Sequence, residues 1–226
     1  MADDLEFRGA GMVEADWDAL EQALRACAPV TDAECAYLNE AFMATERMWE
    51  ENVAKVAEVR FVMLAESPQF GAGERYFYNT ATPFSSFFHF DDAESILGRG
   101  FANGRTDKQF LLAELARAGF IILDIFPFAL NQDDTPSVTY EELRGRPRRY
   151  RDLFQRTASF YFDKKRDLIL QHGSPLFMFR YGHMKRTLGT LVNAELTKRN
   201  IGPTQSIGGT NMPLDREKLR QICHAA

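Results

Sequence analysis

The stretch VRFVMLAESP, residues 59–68, is an apolar run that stops abruptly at Glu66, Ser67 and Pro68. An unbroken run of this kind, without alternation of apolar and polar positions, reads as a strand buried on both faces of a parallel sheet. Proline has no amide hydrogen to give to a ladder, so the strand ends there. Ligands of open parallel sheets bind just outside the carboxyl ends of the strands. A carboxylate and a hydroxyl at that position therefore make Glu66 and Ser67 candidate site residues.

Working outward, GFIILDIFPFALN (119–131) repeats the pattern and is broken by Asp124 and Pro127. DLILQHGSP (167–175) reads as a third strand, with Leu168 to Gln171 buried and His172, Gly173 and Ser174 at its end. PTQSIGGTNMP (203–213) reads as a weak fourth strand and a glycine turn. Helical spacing is expected over Asp107 to Ala118, Arg151 to Lys165 and Leu214 to His224, and from Leu176 onward with a kink near Gly182. Residues 69–90, rich in Phe and Tyr, read as a long loop.

Two helices precede the first strand. Trp17, Leu20, Leu24 and Cys27 share one face of the first, which Pro29 ends. Thr31 and Glu34 form a capping-box pattern opening the second, expected to reach Glu58. Strands alternating with helices imply a three-layer α/β/α fold with a central parallel four-stranded sheet and an N-terminal helical extension. The division expected is residues 1–58 as helices packing on the domain and 59–226 as the domain itself.

The 226 residues, 45% hydrophobic, can bury a substantial core. A formal charge of −5 excludes a generic polyanion binder, although a local basic patch can still hold phosphates. Three cysteines without Cys-x-x-Cys spacing argue against a disulfide framework. No stretch approaches the roughly 20 apolar residues of a membrane span, and the acidic N-terminus carries no signal-peptide pattern. The expectation is a cytoplasmic protein with no membrane association. His89 and His183 read as ordinary polar residues without a second ligand at metal spacing, so no metal and no cofactor is expected. Walker, Rossmann and Gly-x-Ser-x-Gly signatures do not occur.

If all strand ends share one edge, Glu66, Asp124 and His172 converge as two acids and an imidazole, a set suited to general acid–base work or activation of a water. RGRPRRYR (144–151) puts five arginines in eight residues. Arg148 and Arg149, with Arg75, Lys185 and Arg186, are candidate contacts for a phosphate backbone. Asp124, an acid among apolar neighbours, needs donors such as Arg75, Arg180 or a tyrosine.

AESP after an apolar strand resembles the first motif of the uracil-DNA glycosylase superfamily, which has a Gly-Glu-x-Pro form in one large branch. ERYFYN resembles the aromatic-bearing loop that follows it, and GFIILDIFP falls where the superfamily's second strand presents an Asn to the uracil edge. The resemblance spans roughly residues 59 to 215. It implies an α/β/α domain that acts on nucleic acid, as in DNA repair, and hydrolyses an N-glycosidic bond. Ala65 and Glu66 match the Gly-Glu pair, Pro68 the proline, and Ser67 the position of the water-activating Asp or Asn of other branches. Phe77 or Tyr78 is then the side chain stacking on a flipped base, and Asp124 stands in place of the base-reading Asn.

Two departures change the implied chemistry. The superfamily's His-Pro-Ser segment after the fourth strand corresponds to IGGTNMP, which has no histidine; Gly208, Gly209, Thr210 and Asn211 remain as backbone and hydroxyl donors for a phosphate. An Asn offers a donor and an acceptor, whereas an ionised Asp only accepts. Asp124 therefore suits an amino-bearing base better than uracil, a mismatch of about 1–3 kcal/mol. Three functions stay open at this point: N-glycosidic cleavage in a nucleic acid or nucleoside, non-catalytic binding of a nucleic acid or nucleotide, and hydrolysis of a small substrate by Glu66 and His172.

Overall fold

The computed structural model describes residues 14–71, 73–83, 88–100, 107–130, 143, 146–208 and 214–224. Two helices lead, α1 (Glu14–Cys27) and α2 (Asp32–Val53). The capping box is formed: the Thr31 hydroxyl accepts from the Glu34 amide (3.2 Å), and the Glu34 carboxylate accepts from the Thr31 amide (3.0 Å). There follow β1 (Phe61–Ala65), α3 (Phe90–Leu97), α4 (Lys108–Arg117), β2 (Phe120–Asp124), α5 (Pro147–Thr157), α6 (Phe162–Leu170), β3 (Leu176–Phe179), α7 (Gly182–Thr197), β4 (Gln205–Ser206) and α8 (Arg216–His224).

The strands pair only in parallel, in the order β2-β1-β3-β4, with helices covering the sheet in a three-layer α/β/α arrangement. Register sets Ala65 beside Asp124 and Leu64 beside Phe179, so the ends of β1, β2 and β3 form one edge. Parallel pairing demands crossovers. Helices α3 and α4 supply the first, α5 and α6 the second, and α7 the third.

One expected strand is corrected. Leu168 to Leu170 belong to α6, Gln171 is its C-cap, and the third strand is Leu176–Phe179, where a helix was expected. The buried residues of α6 are Phe162, Lys165, Arg166, Leu168 and Ile169, a helical spacing concealed because two of its members are cations. LFMF, four apolar residues long, carries no periodicity that separates strand from helix. The amphipathic stretch expected over Arg151 to Lys165 is likewise two helices, α5 and α6. Helix α3 begins at Phe90, the last residue of what reads as a loop, and runs on to Leu97.

One hydrophobic core unites Trp17, Leu20 and Leu24 of α1, Phe42 and Trp49 of α2, and all three longer strands. The leading helices are thus part of the same core as the sheet. Helix α1 packs on α5, α5 on α7, and α3 on both α4 and α8. Among the described residues no helix is long and apolar enough to cross a membrane.

Strand β2 lies at an edge of the sheet, where unpaired amides and carbonyls are a liability. Tyr78 covers those of Ile122: its hydroxyl accepts from the Ile122 amide (2.7 Å) and donates to the Ile122 carbonyl (3.2 Å). The Trp49 indole N–H reaches the same carbonyl at 3.0 Å. Tyr78→Phe strips the buried amide of its acceptor while the carbonyl keeps Trp49. Urea unfolding should register a loss of about 1–3 kcal/mol, and an unchanged midpoint would show that this edge is not held by the hydroxyl.

Candidate functional site at the carboxyl edge of the sheet

Glu66 immediately follows β1 at the carboxyl edge. Its Oε1 accepts a hydrogen bond from the Tyr150 hydroxyl of α5, and its Oε2 lies 3.7 Å from His183 Nε2 of α7. The Glu66 carbonyl accepts from the Phe126 amide (3.1 Å), which ties the chain leaving β2 to this corner. Phe126 also packs on the Tyr150 ring, centroids 4.6 Å apart, fixing the phenol that meets the carboxylate. The Glu66 side chain keeps 15% of its surface exposed, so solvent reaches it. Ser67 and Pro68 continue the chain at the same edge.

The turn from β3 to α7 completes this corner. The Arg180 amide donates to the Leu64 carbonyl (2.9 Å), which holds the turn against the end of β1. Buried Arg180 lays its guanidinium over the Tyr181 ring at 4.6 Å, and burial lowers its pKa from the usual arginine value. Tyr181 stacks on His183, centroids 5.3 Å apart. Glycine is required at 208, because a Cβ there would meet the Arg180 carbonyl oxygen at 2.3 Å. Gly208 therefore belongs to this edge. Gly209, Thr210 and Asn211 lie outside the described residues.

The first turns of α5 and α7 also bring cations. Arg148 and Arg149 directly precede Tyr150, and Lys185 and Arg186 follow His183 by two and three positions. Arg148, Lys185 and Arg186 are exposed and Arg149 is half-buried. Partial positive charge at a helix N-terminus adds to theirs. Arg75 is exposed in the loop after β1.

His172 is corrected: it belongs to the opposite edge. Its carbonyl accepts from the Val59 amide (2.7 Å) ahead of β1, and a Cβ on Gly173 (φ +150°) would meet the Val59 carbonyl oxygen at 2.4 Å. Since α6 replaces the expected strand, residues 172–174 enter β3 rather than leave it. Seven residues of nearly extended chain separate Val59 from Glu66, about 20 Å at the strand rise. The imidazole beside Glu66 is that of His183.

The aromatic residues after β1 turn inward. Tyr78 is buried and spends its hydroxyl on Ile122. Phe77 is half-buried, its ring edge-to-face with Phe88 (5.1 Å) and Tyr78 (4.8 Å). Both rings are packed against neighbours in the core.

Asp124 ends β2 but is 4% exposed, and its carboxylate accepts from the Tyr76 hydroxyl at 3.3 Å. It shares this interior with the Glu46–Lys165 ion pair (2.7 Å) and the rings of Trp49 and Tyr161, which lie 3.8 and 4.9 Å from the Lys165 ammonium. Burial pushes the Asp124 pKa up to about 7, against the lowering pull of Lys165 and Tyr76. Glu66 meets Tyr150 and His183, whereas Asp124 meets Tyr76, so the two acids occupy different surroundings. Among the described residues no group of three or more His, Cys, Asp or Glu can hold a metal ion.

Tyr150 and His183 are the site residues that sequence reading missed. Tyr150 is hidden among arginines, and His183 lies at a helix start that reads as mid-helix when β3 is taken for helix.

The raised Asp124 pKa sets a pH dependence. Between about 3.8 and about 7 the folded protein keeps a proton that the unfolded chain has released, so this group's stabilisation is full at low pH and is lost as pH rises through that window. Asp124→Asn removes the titration and keeps an acceptor for Tyr76. Relative to the wild type, the variant should gain on the order of 3–4 kcal/mol from pH 4 to pH 7.5 in urea unfolding. Parallel stability curves would contradict the assignment.

No protein-family model matches the chain, and neither a curated protein nor a solved structure matches it.

Proposed function

We propose that this protein hydrolyses an N-glycosidic bond in a nucleic acid or nucleoside, with Glu66 as the base that activates water. The observation that carries the reading is Glu66 at the carboxyl end of a buried parallel strand, held by Tyr150 with His183 beside it. A carboxylate fixed at that depth but reached by solvent suits general-base work. The AESP resemblance to the uracil-DNA glycosylase superfamily supplies the reaction class. Arg148, Arg149, Lys185 and Arg186 are the contacts for the substrate's phosphates, on the first turns of the two helices that carry Tyr150 and His183.

A second reading, a non-catalytic binder of nucleic acid or nucleotide, is favoured by the burial of Asp124, the residue at the base-reader position. Under it, Glu66 and the cations bind without cleaving. Hydrolysis by a Glu66–His172 pair is set aside, because the two residues lie at opposite edges of the sheet.

The test is abasic-site formation on oligonucleotides, single- and double-stranded, each carrying one altered base, together with free nucleosides. Cleavage of at least one substrate is expected, with Glu66→Gln losing about 10²-fold or more in kcat. Binding without any base release would replace hydrolysis by the second reading. On the same oligonucleotides, Arg148→Ala and Lys185→Ala should each weaken binding across sequences and reduce the salt slope by about 0.7–0.9. An unchanged slope in both variants would remove these helix starts from the phosphate path.

A further inference from the structure

The two oxygens of Glu66 are used differently. Oε1 takes the Tyr150 hydroxyl, and that phenol is fixed by its packing on Phe126. Oε2 lies 3.7 Å from His183 Nε2, too far for a direct hydrogen bond. It is a suitable span for two groups that share one water. With legs of about 2.8 Å, a water completes a triangle on that base and bonds to both.

The tautomer of His183 follows from its other nitrogen. Nδ1 is buried and makes no hydrogen bond, so a proton there would be a buried donor without an acceptor. The neutral imidazole therefore carries its proton on Nε2, the atom that faces Glu66. The Tyr181 ring, stacked at an interplanar angle of 28°, restricts the imidazole plane. His183 keeps 27% of its side chain exposed and Glu66 15%, so water can enter between them.

We propose, resting on the hydrolytic reading above, that Glu66 Oε2 and His183 Nε2 together hold the attacking water, and that Tyr150 is a positioning residue that leaves Oε2 as the base. In this arrangement Nε2–H donates to the water oxygen and the water donates one hydrogen to Oε2. A lone pair of the water oxygen remains for attack. As the oxygen bonds to the anomeric carbon, the bond from that carbon to the base nitrogen breaks and its electron pair leaves on the nitrogen. The water proton passes to Oε2 and is returned to solvent, from which the departing base takes its own proton. His183 orients the water throughout and keeps its proton.

A crystal structure of the wild type at about 1.2 Å or better tests the water directly. The expected result is a water within hydrogen-bonding distance of both Glu66 Oε2 and His183 Nε2. A structure at that resolution without such a water overturns the proposal, whatever the protein's activity. With a cleavable substrate in hand, His183→Ala and Tyr150→Phe should each lower kcat by about 10- to 100-fold and leave KM within about twofold. His183→Gln, which restores an N–H donor, should recover part of that loss. Full kcat in both His183→Ala and Tyr150→Phe also overturns the proposal. A water in place in a wild type that releases no base supports the water site and rejects the hydrolytic reading, so the two failures are told apart.

Discussion

A carboxylate that closes a buried strand has to be met by donors, and the Tyr150 hydroxyl meeting Glu66 is the contact on which the geometry of the carboxyl edge depends. Strand β1 lies inside the sheet, between β2 and β3, so its end is surrounded by protein. The phenol comes from α5, part of the crossover that carries the chain from β2 to β3. Phe126, just beyond β2, packs on that phenol and also bonds the Glu66 carbonyl through its amide. The same corner thus links the ends of β1 and β2 to the helix that crosses between β2 and β3. His183 arrives with α7, which packs on α5, so the imidazole and the phenol are placed by one helix–helix contact.

A second polar group is buried in the interior on other terms. Lys165 is buried against Glu46, and its ammonium lies over the Trp49 and Tyr161 rings. A buried ion pair seldom adds net stability over an apolar replacement, but losing one partner leaves an uncompensated charge that costs about 3–5 kcal/mol. The pair joins α2 to α6, and Asp124 at the end of β2 lies within reach of its charges. This explains how an acid in an apolar strand is accommodated: Tyr76 gives it one hydrogen bond, and its pKa rises with burial.

Much of the architecture was legible because β1 and β2 are continuous apolar runs and Thr31 with Glu34 marks a helix start. The parallel four-stranded sheet and the position of Glu66 at a strand end follow from those features. The third strand was misplaced because α6 buries Lys165 and Arg166, so its apolar stripe looks too short for a helix and LILQ looks like a strand. That one displacement carried His172 to the wrong edge and left His183 inside a helix, where it had no apparent role. Tyr150 was illegible for another reason. Its partner is 84 residues away in the chain, and nothing in RGRPRRYR separates the one inward tyrosine from the arginines around it.

The contact between Tyr150 and Glu66 can be measured without any substrate. A double-mutant cycle of Tyr150→Phe and Glu66→Ala, followed by urea unfolding at neutral pH, isolates their interaction. The coupling expected is about 1.5–3 kcal/mol, the range for a hydrogen bond to a charged group. Effects that add within about 0.5 kcal/mol would show that the phenol does not hold the carboxylate, and would contradict the site built on it.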